Sequence, residues 1–327
     1  MERILRNSRV LVTGGAGFIG SNLIESLLDT GNQVVCLDNF STGKRKNLVS
    51  FINHPHFKLI EGDIRNIEDC NRSVNNIDIV FHEAALGSVP RSIKDPVTTT
   101  DVNIGGFVKM LFASKEAGVK RFIYAASSST YGDHTDLPKV EDEIGSPLSP
   151  YAITKYVDEL FADNFAKTYG IDGIGLRYFN VFGRRQDPDG AYAAVIPKFV
   201  KMLIKHEIPL INGDGSKSRD FTYIDNVIQV NHLAAVVSNR EALNQVYNIA
   251  HGESTTLNQL YKIIRDLAGK YDKAILDIEP LYGPDRAGDI HHSLASIEKA
   301  KRLLGYSPVL NVEKGLEEAV EWFRNNL

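Results

Sequence analysis

A tyrosine and a lysine one helical turn apart are the groups in this sequence best suited to acid–base chemistry. Tyr151 and Lys155 follow Ser149-Pro150, and proline is favoured at the first position of a helix. A helix that begins there places both side chains on one face. An ammonium group beside a phenol stabilises the phenolate, so the tyrosine can remove a proton from a hydroxyl. An ordinary exposed helix pair has the same spacing, and the elements around the two residues decide between these interpretations.

A glycine-rich turn near the N-terminus has the spacing of a phosphate-binding loop. Val10-Leu11-Val12 predicts a strand, Gly14, Gly17 and Gly20 follow it, and apolar residues at helical spacing predict a helix over 21–29. Glycines three apart let the backbone approach a pyrophosphate, and the helix N-terminus offers free N–H groups and positive partial charge. In this strand–turn–helix context the glycines predict a dinucleotide site.

Carboxylates after the next two strands extend this predicted site. A strand over 33–37 ends at Asp38, about 20 residues past the glycines, where a carboxylate accepts hydrogen bonds from an adenosine ribose. Its charge repels a 2′-phosphate, which favours NAD over NADP. A strand over 57–60 leads to Asp63, which could meet the adenine amino group.

Strands continue to alternate with helices as far as about residue 180, with further strands predicted over 77–81, 121–126 and 174–179. This alternation predicts an α/β fold, a Rossmann-type doubly wound parallel sheet that binds ligands beyond the carboxyl ends of its strands. Ser127 follows one of these strands, where its hydroxyl could share a substrate hydroxyl with Tyr151. A serine-rich turn without a role in chemistry is the alternative.

A smaller C-terminal α/β lobe is predicted beyond residue 180. The alternation fades there, and the predicted helices cover 195–205, 224–238, 256–268 and 311–325. We therefore divide the chain into a dinucleotide-binding domain over 1–180 and a substrate-binding lobe over 181–327. Arg219 and Arg286 lie in glycine-containing loops of the lobe, where guanidinium groups would suit a diphosphate. Surface salt bridges are the alternative for both arginines.

Charge and composition exclude several classes of function. The net charge is −4 without a long basic or acidic run, which favours a small-molecule partner over nucleic acid or a membrane. Only Cys36 and Cys70 occur, and neither they nor the histidines have the spacing of a metal site. The sequence has no signal-peptide region and no run of 18 apolar residues, so we predict a cytoplasmic protein.

Two helical segments carry more apolar residues than contact with one sheet requires. They cover 102–113 and 151–166. Packing against the same helices of a second copy would bury them in a homodimer, and deep burial within one monomer is the alternative.

Taken in order, these motifs resemble the extended short-chain dehydrogenase/reductase family, and within it the nucleotide-sugar 4-epimerases of the UDP-galactose 4-epimerase type. The resemblance covers about residues 8–325. It is carried by 13–20, Asp38-Asn39, Gly62-Asp63-Ile64, His82-Glu83-Ala84-Ala85, Asn103, Ser127 with Tyr151 and Lys155, 177–183, Arg219-Asp220 and 286–289. Gly87 departs from the pattern, since galactose epimerases usually carry a lysine there.

The resemblance implies three sets of site residues. The catalytic residues would be Ser127, Tyr151 and Lys155. The NAD-binding residues would be Gly14, Gly17, Phe18, Ile19, Gly20, Asp38, Asn39, Asp63, Ile64, Ala84, Asn103, Tyr151, Lys155 and Tyr178. The UDP-sugar would contact Ser88, Ser127, Ser128, Asn180, Ala194, Val195, Asn212, Arg219, Arg286, Asp289 and Ser293.

The implied reaction is an epimerisation at C4 of a UDP-hexose. Tyr151 would remove the 4-hydroxyl proton while hydride passes from C4 to NAD, and hydride would return to the other face of the 4-keto sugar. Dehydratases of the family carry Thr-Asp-Glu where this chain has Ser127-Ser128-Ser129, so the acid needed for dehydration is missing.

Ser293 bears on the choice of sugar. Strict UDP-galactose/UDP-glucose enzymes can carry a tyrosine there, whereas serine leaves room for an N-acetyl group. The resemblance therefore implies UDP-N-acetylglucosamine and its galacto epimer as substrates, with UDP-glucose and UDP-galactose as further candidates. Uronic-acid sugars are one alternative. A regulatory protein that binds the dinucleotide without turnover is the other, although such relatives typically lack the tyrosine or the lysine.

Overall fold

The computed structural model describes residues 3–190, 193–285 and 292–327. The strands are β1 Arg9–Thr13, β2 Gln33–Asp38, β3 Phe57–Glu61, β4 Ile79–His82, β5 Arg121–Ser127, β6 Gly173–Tyr178, β7 Val181–Phe182, β8 Leu210–Asn212, β9 Ser218–Arg219, β10 Thr222–Tyr223, β11 Gln245–Ile249, β12 Thr255–Thr256 and β13 Leu281–Gly283. The helices are α1 Phe18–Asp29, α2 Ile67–Ser73, α3 Val89–Lys94, α4 Pro96–Thr100, α5 Phe107–Glu116, α6 Pro150–Tyr169, α7 Val195–Ile204, α8 Ile224–Val236, α9 Leu257–Ala268, α10 Glu298–Leu304 and α11 Val312–Asn326.

Seven strands of the described chain form one parallel sheet in the order β3-β2-β1-β4-β5-β6-β11. The order reverses between β1 and β4, and a doubly wound sheet binds ligands at such a switch point. The α/β fold with a Rossmann-type doubly wound parallel sheet is thereby confirmed. The sequence pattern does not predict β11, a short strand that returns from beyond residue 180 to pair with β6.

Helices cover both faces of the sheet, as a parallel sheet requires. Alternate side chains of β1 lie on opposite faces, so that Val12 belongs to one apolar cluster and Leu11 to another. The first cluster includes residues of α1 and α8, whereas the second includes residues of α2, α5 and α6. The strand ends that carry the predicted site residues are therefore held by a core that is buried on two sides.

The remaining elements continue the first cluster beyond the sheet. Helices α7, α9 and α11 pack on one another, and Phe199, Leu260 and Phe323 from these helices join the cluster that contains Val12. Three short pairs of strands, β7 with β10, β8 with β13 and β9 with β12, lie outside the central sheet. The division at residue 180 stays a prediction, because β11 and α8 return from the second part of the chain to the central sheet.

Two helix starts matter for the site. Helix α1 begins at Phe18, three residues before the predicted start, and Gly17 precedes it without a side-chain cap. Helix α6 begins at Pro150 as predicted, and the hydroxyl of Ser149 accepts a hydrogen bond of 3.1 Å from the N–H of Ala152. Among the described helices we find none with the length and apolar character needed to cross a membrane.

Candidate active site

Tyr151 and Lys155 stand in the first two turns of α6, where the structure anchors both. The N–H of Tyr151 donates to Oγ of the buried Ser92 at 3.0 Å. Nζ of Lys155 donates to the carbonyl oxygen of Ala125 on β5 at 2.8 Å and to Oδ2 of Asp158 at 3.3 Å. Lys155 is 3% exposed. The lysine is therefore fastened to β5 close to the carboxyl end of that strand.

Ser127 is the last residue of β5, two residues beyond this anchor. Its Oγ accepts hydrogen bonds from the N–H of Ser129 at 3.2 Å and from Oγ of Ser129 at 2.9 Å. A hydroxyl has one proton to donate and two lone pairs to accept with. Since both lone pairs are occupied, Ser127 retains its proton for donation to a ligand.

Asn103 connects helix α6 to the loop after β4. It lies in a π-helical turn over Asp101–Gly106, a conformation that is frequent at functional sites. Its Oδ1 accepts from the N–H of Leu86 at 2.8 Å, and its Nδ2 donates to Oγ1 of Thr154 at 3.0 Å. Oγ1 of Thr154 in turn donates to the carbonyl oxygen of Tyr151 at 2.8 Å. Asn103 thus braces the turn of α6 that presents Tyr151.

A cleft of about 310 Å³ opens at the carboxyl ends of β1, β2, β3 and β4. Ten of the predicted cofactor-binding residues line it: Gly14, Gly17, Phe18, Ile19, Gly20, Asp38, Asn39, Asp63, Ile64 and Ala84. The structure therefore brings together residues that lie up to 70 positions apart in the sequence.

Two glycines of the cleft, Gly14 and Gly20, have no room for side chains. Gly14 has φ +67°, and a Cβ atom there would lie 2.7 Å from Cα of Ala84. A Cβ atom on Gly20 would lie 2.3 Å from the carbonyl oxygen of Gly14. The first turn of α1 approaches the loop this closely and has no side-chain cap, so its N-terminus can receive a diphosphate.

Two carboxylates line the cleft at the carboxyl ends of β2 and β3. Asp38 accepts hydrogen bonds from the N–H groups of Ala16 at 2.8 Å and Phe40 at 2.7 Å, and burial raises its pKa. A carboxylate keeps further lone pairs for the hydroxyls of a ribose. Hydrogen bonds from Arg65 lower the pKa of Asp63 to about 2, and Asn39 donates to the same carboxylate at 2.8 Å. The glycine loop, the N-terminus of α1 and the two carboxylates together fit a dinucleotide without a 2′-phosphate.

Glu83 lines the same cleft and was not among the predicted site residues. The hydroxyl of Tyr178 donates to its Oε1 at 2.9 Å, and Asn231 donates to that hydroxyl at 2.9 Å. Oε2 of Glu83 is buried and has no hydrogen-bond partner within the described residues. Burial raises the pKa of Glu83 to about 7. Its position directly after β4 could have predicted Glu83 as a site residue, but the sequence does not show that the side chain is buried.

Three predicted substrate residues converge on the short segment 218–220. Nδ2 of Asn180 donates to the carbonyl oxygen of Asp220 at 2.9 Å. Nη1 of Arg219 donates to the carbonyl oxygen of Ser218 at 2.9 Å, and the N–H of Ser293 donates to that same oxygen at 3.1 Å. Asn180, Arg219 and Ser293 are therefore neighbours.

The Asp220 carboxylate organises this segment by accepting backbone hydrogen bonds. Asp220 was named only within the motif Arg219-Asp220 and was not among the predicted site residues. It is fully buried and accepts hydrogen bonds from the N–H groups of His251, Gly252 and Ala295 at 3.0 to 3.3 Å. Burial raises the pKa of Asp220 to about 7. The carboxylate joins the end of β11 to the stretch that carries Ser293.

The other predicted substrate residues occupy separate elements. Ser88 caps α3 by accepting from the N–H of Arg91 at 3.2 Å, and Ser128 follows Ser127 in a 3-10 turn. Ala194 precedes α7, Val195 is its first residue, and Asn212 ends β8. Arg286 and Asp289 lie outside the described residues.

Comparisons with known proteins agree with this geometry. Residues 10–250 match the model of the "NAD dependent epimerase/dehydratase family". A putative UDP-glucose 4-epimerase of Methanocaldococcus jannaschii is 34% identical over 97% of this chain and 99% of its own length. The solved structure of a UDP-N-acetylglucosamine 4-epimerase from Methanobrevibacter ruminantium, in complex with UDP-N-acetylmuramic acid, is 40% identical, with a TM-score of 0.92 over 99% of this chain and 100% of that chain.

A second solved structure, UDP-glucose 4-epimerase of Thermotoga maritima with UDP-glucose, is 38% identical, with a TM-score of 0.90 over 97% of this chain and 99% of that chain. Both the family match and these similarities extend over most of the sequence. The chain belongs to the NAD dependent epimerase/dehydratase family, and its cofactor is NAD.

Proposed function

We propose that this enzyme, an NAD-dependent UDP-sugar 4-epimerase, interconverts UDP-N-acetylglucosamine and UDP-N-acetylgalactosamine through a 4-keto intermediate. One observation carries the proposal. Lys155 is hydrogen-bonded to Ala125, two residues before Ser127 at the carboxyl end of β5, and Tyr151 stands one turn before Lys155. Lys155 also acts electrostatically on Glu83, which lines the cleft that fits a dinucleotide.

Each of these three residues has a part in moving the proton of the sugar 4-hydroxyl. Tyr151 takes the proton as a general base and gives it back after the sugar has turned. Ser127 donates its remaining hydrogen to the same sugar oxygen, because its lone pairs are already used by Ser129. Lys155 stabilises the phenolate of Tyr151.

The cleft supplies the redox partner. NAD, when bound, would supply the hydride acceptor and donor for the oxidation and the reduction at C4. Gly14, Gly17 and Gly20 would hold its diphosphate, and Asp38 its adenosine ribose. We further assign Phe18, Ile19, Asn39, Asp63, Ile64, Ala84, Asn103 and Tyr178 to the same ligand.

The second part of the chain, over 181–327, would hold the UDP-sugar. Arg219 offers a guanidinium group to the diphosphate, and Asn180 lies beside it through Asp220. Ala194, Val195 and Asn212 add further proposed contacts from this part of the chain, and Ser88 and Ser128 add contacts from the part before residue 181. A firm hold on the diphosphate would leave the hexose free to present either face to the cofactor.

Two observations support an N-acetylated hexose, and a third supports epimerisation over dehydration. Ser293 has a small side chain and is half-buried, and its backbone is tied to Ser218. The similar protein from M. ruminantium carries the name UDP-N-acetylglucosamine 4-epimerase. The stretch Ser127-Ser128-Ser129 lacks the carboxylic acid that elimination of water would need. A homodimer and a cytoplasmic location are part of the same proposal.

A product assay tests it. Purified protein incubated with UDP-N-acetylglucosamine and no added NAD should yield a mixture containing the galacto epimer. Conversion of the uronate alone would replace our substrate with the uronic-acid sugar. No conversion of any UDP-sugar, with NAD retained, would support a dinucleotide-binding regulatory protein.

Tyr151→Phe is the matched control for the assay. Loss of the phenol should lower kcat by about 10² to 10⁴ while NAD stays bound, since general-base groups typically contribute that much. Full activity in this variant would contradict the assignment of the base.

A further inference from the structure

A buried acid contacts the lysine that the proposed mechanism uses. Asp158 follows Lys155 by three residues on α6, and its Oδ2 accepts from Nζ of Lys155 at 3.3 Å. The two side chains are 1% and 3% exposed. Oδ1 of Asp158 is buried without a hydrogen-bond partner in the described chain. This ion pair is thus screened from water, unlike an ordinary i,i+3 pair on a helix surface.

The charged and titratable groups around Asp158 leave Lys155 as its only close cation among the described residues. On α6, Glu159 repels it but is itself paired with Arg177 at 2.7 Å. On β5, the buried phenol of Tyr124 faces it. Lys155 also acts on the buried groups at the end of β4, His82 and Glu83.

The contacts of Lys155 define what Asp158 can do. An ammonium group has three protons, and Ala125 and Asp158 accept two of them. The third proton is left for a further acceptor, and Tyr151 stands one helical turn before Lys155. An ionised Asp158 therefore fixes the direction of the ammonium group and offsets part of its positive charge.

We propose that Asp158 is a positioning residue that holds Lys155 and sets, through its own charge, the pH above which Tyr151 acts as a base. The proposal rests on the proposed function, in which Lys155 stabilises the phenolate. A protonated Asp158 leaves the ammonium charge unopposed, whereas an ionised Asp158 weakens its effect on the phenol. Burial raises the pKa of Asp158 above that of a free carboxyl group, while Lys155 acts in the other direction.

Asp158→Asn tests the proposal because it keeps the shape and removes the charge. The acidic limb of the pH profile of kcat/KM should move to lower pH by about one unit, the scale on which one neighbouring charge acts. An acidic limb at the wild-type position would overturn the proposal. A fall in kcat at every pH without a shift would also overturn it, because that result describes a merely structural residue.

Asp163→Asn is the matched control. It removes one negative charge from the same helix, but Asp163 pairs with Lys167 on the surface, where the side chains are 51% and 73% exposed. Its profile should coincide with that of the wild type. An equal shift in both variants would overturn the proposal, since net charge alone would then account for it.

A second readout needs no turnover of sugar. The phenolate absorption of Tyr151 is the difference between the absorption of the wild type and that of Tyr151→Phe. The same difference is measured between Asp158→Asn and the double variant that also carries Tyr151→Phe. The wild-type titration should be broader than a one-proton curve, because ionisation of Asp158 opposes that of Tyr151. In Asp158→Asn it should narrow and move to lower pH.

These results separate the inference from the proposed function. A shifted titration in a protein that converts no UDP-sugar would overturn the function and keep the role of Asp158. An active epimerase with unshifted titrations would overturn the role of Asp158 alone. Removal of one partner of a buried pair is destabilising, so Asp158→Asn could fail to fold. In that case the breadth of the wild-type titration of Tyr151 tests the proposal. A one-proton curve would overturn it.

Discussion

The phenol of Tyr178 on β6 donates a 2.9 Å hydrogen bond to Oε1 of Glu83, the residue that follows β4 at the dinucleotide cleft. Asn231 of α8 donates to the same phenol at 2.9 Å. Among the described residues, the carboxyl group of Glu83 thus has one neutral donor and one oxygen without a partner, with Lys155 as a more distant cation. Such surroundings favour the protonated acid.

Glu83→Gln should therefore change the pH dependence of stability. Burial raises the pKa of Glu83 from 4.5 to about 7, so between these values the folded protein binds more protons than the unfolded chain. The contribution of Glu83 to the free energy of unfolding consequently falls as the pH rises through this window. Urea unfolding of both proteins should show the wild type losing stability relative to Glu83→Gln, by at most about 1.4 kcal/mol per pH unit.

Asp63→Asn is the opposite control for this measurement. The pKa of Asp63 is lowered to about 2, so its contribution is present above 3.8 and is lost only as the pH falls below that value. Its difference from the wild type should stay constant from about pH 5 to 7. A constant difference for Glu83→Gln as well would contradict the raised pKa.

Gly20→Ala should weaken NAD binding. The new Cβ atom would lie 2.3 Å from the carbonyl oxygen of Gly14 and 2.8 Å from Cα of Gly15, and backbone atoms can yield only if the loop moves. We expect an affinity loss of about tenfold or more, which corresponds to about 1.4 kcal/mol. Calorimetric titration with NAD, after any NAD that copurifies has been removed, measures it.

Gly173→Ala serves as the control, because Gly173 lies at the other end of the sheet's β6 and the atom nearest to its Cβ position is 3.9 Å away. That variant should bind NAD like the wild type. Equal affinities for wild type and Gly20→Ala would show that the loop tolerates displacement.

Local pattern predicts much of this site. Periodicity and glycine spacing predict β1, the turn to α1 and α6, because these features depend on residues near in sequence. Asp38 and Asp63 of the cleft were predicted because the carboxyl ends of parallel strands share one edge of the sheet. The family resemblance, in contrast, predicted Phe18, Ile19, Asn39, Ile64 and Ala84.

Burial and partner choice could not be predicted in the same way. In sequence, Asp158 beside Glu159 reads as part of the exposed side of a helix, yet both are buried because Lys155 and Arg177 lie opposite them. β11 escapes prediction because five residues of mixed polarity become a strand only through pairing with β6. The π-helical turn around Asn103 likewise depends on contacts with Leu86 and Thr154.

Ser293→Tyr should discriminate against N-acetylated sugars. A bulky side chain on a backbone tied to Ser218 would fill the space that we assign to the N-acetyl group. We expect kcat/KM for UDP-N-acetylglucosamine to fall about 10- to 200-fold more than that for UDP-glucose, the range in which pocket size alone discriminates. Ser293→Ala keeps the space open and should leave the ratio unchanged. A similar loss for both sugars in Ser293→Tyr would remove the argument from size.

The helices that pack on α6 leave an apolar face outward. Helices α3, α4 and α5 each contact α6, and exposed apolar side chains lie on all four. They include Ile93, Val97, Phe112, Ile153 and Leu160, which are 43 to 78% exposed. Other residues of the same helices, such as Phe107 and Phe165, are buried within the monomer. Burial within the monomer therefore accounts for part of these helices, and a contact with a second copy stays a prediction for the exposed apolar side chains.

We expect the outward face to join two copies of the chain, since an isologous interface pairs one patch with itself. Leu160→Glu combined with Val97→Glu places charges in such an interface and should convert the dimer to a monomer, as measured by light scattering after gel filtration. Val309→Glu is the control, because Val309 is 58% exposed in the loop before α11, away from α6. A wild-type protein that elutes as a monomer would contradict the dimer. A dimer that survives both substitutions would place the interface on another surface. Burial of two carboxylates without partners in an apolar contact costs free energy that would otherwise separate the copies.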